Sequence, residues 1–276
     1  MPLLDTPAIA LKSRKWGEAD RIVTFFTLRY GKIRGVARGA RRQKSQLGSG
    51  LEPFIHSHLQ LFEKPNDTLF RIRHVDIINP FLLLRDDLAM LAAAARMVNT
   101  VAAVTADGDP DAPVYDALLM GLRTLAEGAE PAMTALLFQV RMMGHIGFRP
   151  QMDHCAGCGK SLSGHGGQFS PKSGGLLCAF CAARQSVYCV ALSPGSLALL
   201  QQAVRMPPAM WSRLRAEGRV RTELESAVER YIGSIAGRPL PRMDWEHDAP
   251  GVHGRTIERT APHRAGQPVD DLGRNA

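Results

Sequence analysis

The chain has 276 residues, 45% of them hydrophobic and 22% charged, an ordinary globular composition that excludes a wholly disordered or fibrous protein. At about 150 residues per domain, this length predicts two domains. The formal net charge of +8 points to an anionic partner without choosing among nucleic acid, lipid headgroups and acidic proteins.

The N-terminus, Met1-Pro2-Leu3-Leu4-Asp5, has an early acid and no basic or long apolar run, so it does not read as a secretory signal. Residues 7–80 read as β structure. Strands are expected over 8–15, 21–28, 33–38, 54–62 and 68–75, with turns at 17–20, 30–32 and 65–67 and a long loop over 39–50. In the first strand, alternation places Ile9 and Leu11 on one face and Lys12 and Arg14 on the other. Five short strands in about 75 residues predict a small barrel or sandwich.

The pattern then switches to a helical period. Leu84, Leu88, Leu91, Ala95, Val98 and Ala102 form one stripe. The apolar stretch 88–106 is broken by Arg96 and Asn99 and falls short of a membrane span. Asp107, Asp109 and Asp111 lie in a Pro/Gly loop and lack the downstream order of a calcium loop. A second helix is expected from Val114, and a third from Glu130-Pro131 to Gly147. Residues 151–190 are rich in Gly and Cys. Ser193-Pro194 reads as the cap and first turn of a further helix. The last helix spans about 220–235, with Leu224, Val228, Tyr231 and Ile235 on one face. Residues 246–276 have almost no apolar content and read as a disordered tail.

Four of the five cysteines form C-x2-C-x19-C-x2-C: Cys155, Cys158, Cys178 and Cys181. Two such pairs at this spacing predict one structural zinc ion per chain, whereas a lone pair would equally suit redox chemistry. Four thiolates leave no open coordination position, so the ion is not catalytic. The segment 164–175 is expected to fold back as a short ribbon, with Phe169, Leu176 and Leu177 as its own small core. His154 and His165 read as surface histidines and Cys189 as a buried thiol. So few cysteines fit a cytoplasmic protein.

Residues 1–80 carry 14 basic and 7 acidic side chains. Seven of the cations, Arg29, Lys32, Arg34, Arg38, Arg41, Arg42 and Lys44, fall in an acid-free run of sixteen residues. On a strand, Lys32, Arg34 and Arg38 share one face, and Gly35 and Gly39 would admit a phosphate backbone. Several cations along a track suit phosphate neutralisation. Trp16, Tyr30 and Phe54 are the aromatic residues available for stacking on bases. No P-loop, nucleophile elbow, zinc-protease or dinucleotide motif is present, so no enzyme is indicated. A zinc-containing nucleic-acid enzyme and a zinc-ribbon transcription regulator are the competing readings.

Four stretches in this order resemble the RecO family of bacterial DNA repair proteins. They are Gly17-Glu-Ala-Asp-Arg-Ile-Val-Thr, Val36-Ala-Arg-Gly-Ala-Arg-Arg, Gly144-His-Ile-Gly-Phe-Arg-Pro150 with the first cysteine pair, and Gly174-Gly-Leu-Leu-Cys-Ala-Phe-Cys181. The resemblance covers about 5–245. It implies an α+β multidomain fold: a five-stranded OB-fold barrel over 1–80, then a helical domain over 81–245 with the zinc module inserted at 151–190. It implies a non-enzymatic recombination mediator of the RecF pathway, acting at the bacterial nucleoid. Such a protein binds single- and double-stranded DNA, anneals complementary strands and, with RecR, helps load RecA onto strands coated by single-stranded-DNA-binding protein. The coating protein's acidic C-terminal tail would be a direct partner, and no membrane is implied. By matched position, Lys32, Arg34, Arg38, Arg41 and Arg42 would contact DNA, with Lys44 extending the track. The zinc ligands would be Cys155, Cys158, Cys178 and Cys181. Pro241 departs from the family pattern, where a basic or small residue is commoner.

Overall fold

The computed structural model describes residues 3–240, apart from 43, 44, 46, 64–67, 163–166, 185–187, 207–209, 211 and 212. Lys44, His165 and the stretch 246–276 therefore lie outside the described residues.

Strands β1 (Leu3–Trp16), β2 (Asp20–Thr27), β3 (Gly31–Ala37), β4 (His56–Phe62) and β5 (Phe70–Asn79) close into a barrel of order β1-β2-β3-β5-β4. β1 is long enough to serve two neighbours. Its first half pairs with β4 and its second half with β2. A β-bulge between Ala10 and Lys12 supplies the bend. Closure is completed by a short parallel contact of β3 with β5 at Gly35 and Val36. A Cβ on Gly35 would sit 2.8 Å from the Ile72 side chain, so a glycine is needed where these strands meet. Val23, Phe25, Ile33, Ala37, Leu59, Leu61 and Ile72 fill the interior.

The fourth strand starts two residues later than its apolar pattern indicates. Phe54 is left-handed at φ 73, which costs a side-chain-bearing residue roughly 1–2 kcal/mol. Burial offsets that cost: Phe54 is 1% exposed, and the Arg85 guanidinium lies over its ring at 5.9 Å.

Three helices follow: α1 (Leu88–Val104), α2 (Ala112–Ala126) and α3 (Pro131–His145). Each starts on a carboxylate that accepts a backbone N–H three residues on. The pairs are Asp87 with Met90 at 2.9 Å, Asp111 with Val114 at 3.0 Å and Glu130 with Met133 at 2.7 Å. Asp111 is thus a helix cap. Arg96 interrupts the apolar run of α1 for a reason. It donates to Gln139 of α3 at 3.0 Å and pairs with Glu225 at 3.3 Å, joining three helices across the core. Among the described residues no helix is long and apolar enough to cross a membrane.

The barrel and helices share a core. Ile9, Leu11, Phe26 and Phe54 point out of the barrel into the cluster built by α1, α2 and α3. Tyr115 of α2 meets His56 of β4 at 2.9 Å within this interface. Burial, helped by the Arg123 charge, holds the His56 imidazole below its ordinary pKa.

The cysteine-rich segment carries β6 (Gly167–Ser170), β7 (Gly175–Leu177) and α4 (Ala179–Arg184). A later strand, β8 (Val190–Leu192), joins to give the order β7-β6-β8. The expected ribbon is present, but it has no private core. Phe169 and Leu176 belong to the main helical cluster, and the Phe169 ring packs edge-on against Tyr231 at 5.5 Å. A two-stranded ribbon is marginal alone, and the third strand and the helical surface supply what it lacks. Cys189 is only partly buried.

The last elements among the described residues are α5 (Pro194–Arg205) and α6 (Gly218–Ile235). Glu223 of α6 holds the start of α5. Its carboxylate accepts from the Ser193 amide at 2.7 Å and the Ser196 hydroxyl at 2.6 Å. Enclosure disfavours its charge, yet these donors and Arg219 outweigh that and hold its pKa down to about 2 from an ordinary 4.5. A depressed carboxylate stabilises the fold above its ordinary pKa and loses that contribution as pH falls. Glu223→Gln is therefore expected to unfold at lower urea concentration than wild type at pH 7. The gap should close as pH drops from 4.5 toward 2. A gap of constant size across that range would contradict this role for the charge.

Candidate nucleic-acid interface and metal centre

The strand registers place the cations. Thr24 pairs with Lys12 on one side and Arg34 on the other, and Ile22 pairs with Arg14 and Val36. Paired residues point to the same side of a sheet. The interior is claimed by Val23 and Phe25, so Lys12, Arg14 and Arg34 all face outward. Arg38, just past β3, extends the surface. Trp16 stands beyond Arg14 at the end of β1, 51% exposed.

This corrects the alternation expected for the first strand. The bulge after Ala10 shifts the parity, so Ile9, Lys12 and Arg14 share the outer face. Ile9 lies at the end covered by helices, and the two cations lie at the open end. The sequence signal for Lys12 and Arg14 as part of the basic surface was their spacing of two. Gly35 is also corrected. It pairs with Val23, faces the interior and opens no path for a phosphate.

The predicted cations are not equivalent. Lys32 is on the same outer face, but its ammonium turns to the end of α1. It donates to Ala102 O at 2.9 Å and Thr105 O at 2.6 Å and lies 3.3 Å from Asp107, with 13% of its side chain exposed. These carbonyls are the unpaired C-terminal acceptors of a helix, where a cation is favoured. The α1–α2 loop reinforces the join, since the Gly108 amide donates to Lys32 O at 2.9 Å. Gly31, at φ 61, is packed so closely on Asp109 that a Cβ would collide with its backbone.

Arg34 is 44% exposed and only 3.9 Å from Asp107, a loose surface pair. Arg41 donates to Glu18 O at 2.8 Å and Gly17 O at 3.3 Å, fixing the β1–β2 turn to the loop after β3. Arg38 and Arg42 are exposed. A cavity of about 580 Å³ opens beside β3, lined by Arg29, Tyr30, Arg34, Phe70 and Asp107. Of the three aromatic candidates, Phe54 is buried, Tyr30 packs partly on the barrel core and Trp16 projects into solvent.

The four cysteines converge. The Sγ atoms of Cys155, Cys158, Cys178 and Cys181 all lie within 4.8 Å of one another. Cys158 and Cys178 are 3.8 Å apart, close to the edge of about 3.8 Å that a tetrahedron of 2.3 Å zinc–sulfur bonds requires. Backbone amides aim at the sulfurs: Cys178 and Gly157 donate to Cys155 Sγ at 3.3 and 3.4 Å, and Cys181 donates to Cys178 Sγ at 3.4 Å. Enclosure works against charge on Cys155, but these amides hold its thiol well below the usual range. Cys181 is pushed up by hydrogen bonding with Cys178 and by the charge on Cys155. Four thiolates this close need a cation to ionise together. Donor set, spacing and amide support therefore fit a metal ion. His154 is exposed and stands outside the cluster.

Two family models match the chain. Recombination protein O N terminal covers residues 1–81, and Recombination protein O C terminal covers residues 85–244. The chain belongs to the RecO family. RecO proteins of similar sequence, named DNA repair protein RecO, occur in distant bacteria. That of Desulfitobacterium hafniense (strain Y51) is 31% identical over 87% of this chain and 88% of its own length. The Myxococcus xanthus protein is 32% identical over 85% of this chain and 96% of its own. The Geobacter metallireducens protein is 34% identical over 72% and 79%. RecO membership assigns the chain to DNA repair and recombination. The boundary between the two RecO models, near 81–85, falls where β5 gives way to the helices.

Proposed function

We propose that this protein is a non-enzymatic recombination mediator that binds single- and double-stranded DNA on the outer face of β1, β2 and β3. The observation that carries this reading is the gathering of Lys12, Arg14, Arg34 and Arg38 on one exposed face, flanked by Arg42. A polyanion lying along β3 meets Arg34 and then Arg38, about 13 Å apart on an extended strand. Arg41 shapes the loop that presents Arg42. Lys32 acts as the staple between barrel and helices rather than as a phosphate contact. Lys44, two residues after Arg42 in sequence, is assigned to DNA as a further cation.

The work done is electrostatic. Two complementary strands repel through their phosphates. A cationic face bound to one strand lowers that repulsion and raises the rate of encounter, which is annealing. No bond is made or broken, so the protein needs no catalytic group. With RecR the protein helps RecA onto strands coated by single-stranded-DNA-binding protein, in the cytoplasm at the nucleoid. The coat protein's acidic C-terminal tail needs a cation beside an apolar wall. A cavity of about 330 Å³ offers Arg149 beside Val204, with Arg205 across from it held 3.7 Å from Asp153, and we assign the tail to it. The four cysteines hold one structural zinc ion. It keeps the β6–β7–β8 module docked on the helices and takes no part in a reaction.

The test is strand annealing on DNA precoated with single-stranded-DNA-binding protein. The protein should speed annealing of coated complementary strands, and Arg149→Glu should abolish the effect on coated strands while leaving naked strands unaffected. Cleavage of the DNA, or binding confined to one sequence, would move the assignment to an enzyme or a transcription regulator.

A further inference from the structure

We propose that Trp16 is the residue that lets the barrel distinguish single strands from duplex, by stacking on an unpaired base. This rests on the DNA-binding reading above and adds a selectivity that the cations by themselves do not supply. Phosphates are present on both forms of DNA and are denser on the duplex, so a face of arginines and lysines does not by itself select the single strand. Base faces are open only in a single strand, since in a duplex they are already stacked on one another. An exposed aromatic ring beside a phosphate track therefore reads strandedness.

Trp16 has the required placement. It ends β1 in register with Asp20 at the start of β2, on the side of the sheet that carries Lys12 and Arg14. Asp20 in turn accepts the Gly39 amide at 2.7 Å, which brings the Arg38–Gly39 stretch to the same end of the barrel. Trp16 is 51% exposed, which leaves its ring open to a ligand. The Arg14 guanidinium lies 5.8 Å from the ring centre, so a base stacked there would have a cation within reach of its phosphate.

The setting is also rigid. Arg41 donates to the carbonyls of Gly17 and Glu18, the two residues that follow Trp16. The turn is thereby tied to the loop that carries Arg42, and little ordering cost remains to be met on binding. The other two aromatic candidates lack this placement. Phe54 is 1% exposed beneath Arg85, and Tyr30 packs on the barrel core.

The experiment uses the full chain with Trp16→Ala and Trp16→Phe, titrated against an oligonucleotide and against its duplex of equal length. Trp16→Ala is expected to weaken single-strand binding about tenfold or more while leaving the duplex affinity within twofold. Trp16→Phe should recover most of the loss, because the ring face is retained. A second readout places Trp16 alone, in the Trp211→Phe, Trp245→Phe background. Its fluorescence should be quenched by the single strand and not by the duplex. Equal losses on both DNAs, no loss on either, or quenching by duplex as well would overturn the proposal. Unchanged DNA affinities with annealing lost only on coated strands would assign Trp16 to a protein contact and overturn it too. Absence of DNA binding by wild type would remove the underlying reading instead.

Discussion

Changing Arg34, Arg38 and Arg42 together to Ala is expected to lower single-strand affinity about 100-fold at 0.1 M salt. The estimate follows from counterion release. Each phosphate contact on a single strand contributes about 0.7 to the slope of log affinity against log salt. Removing three contacts flattens the slope by about 2, and from a 1 M reference that difference is about two decades at 0.1 M. The loss should be similar for all sequences, because phosphates carry no sequence information. The fold should survive, since none of the three side chains is buried. Lys32→Met is the informative contrast. It removes one positive charge, from a side chain that is 13% exposed and bonded to the end of α1. Its salt slope should stay near wild type while its melting temperature falls. Affinity of the triple variant within threefold of wild type, or wild-type binding that ignores salt, would sink the phosphate assignment.

Stripping the metal is expected to lower the melting temperature by about 10 °C, with the barrel left folded. Structural zinc contributes directly to folding free energy, and its removal leaves four thiols within 4.8 Å with no cation to hold them. Isolated zinc fingers unfold completely on chelation. Here the effect should be partial, because Phe169 and Leu176 are anchored in the main helical core and hold β6 and β7 in place. A remaining cost of about 3–5 kcal/mol corresponds to about 10 °C in a chain of this size. Cys178→Ser should reproduce it, since Cys178 both faces the ion site and donates its amide to Cys155 Sγ. Metal analysis of protein purified without chelator should find about one zinc per chain. Full-length protein that carries no metal and melts identically with and without chelator would rule the site out. DNA affinity should change little, because the face formed by β1, β2 and β3 belongs to the barrel.

Much of the fold is legible in the sequence because it is encoded locally. The five strands follow from period-two patterning and turn residues. Of the three helices after them, the third announces its own start at Glu130-Pro131, while the caps Asp87 and Asp111 of the other two are seen only in the structure. The cysteine spacing points to a four-thiolate cluster, and the sulfurs do meet. Other features depend on contacts between distant residues and have no local mark. The start of β4 is delayed because Phe54 is pulled left-handed by burial under Arg85. The parity of β1 changes because one extra residue is needed for that strand to serve both β2 and β4. The ribbon shares the helical core because its third strand, β8, arrives from beyond the second cysteine pair.

The basic surface shows the division most clearly. The sequence by itself determined that the first 80 residues carry the excess charge, that seven cations crowd into 29–44 without an acid, and that four cysteines share one metal-ligand spacing. Those properties depend only on residue type and order. Tertiary structure decided which charges remain available. Barrel closure turned Lys12 and Arg14 onto the same face as Arg34. The helical domain drew Lys32 away to satisfy carbonyls that α1 leaves open. Of three aromatic side chains, packing consumed Phe54, half-covered Tyr30 and left Trp16 in solvent. A charge or a ring is written in the chain, but its freedom to meet a ligand depends on what else the fold places beside it.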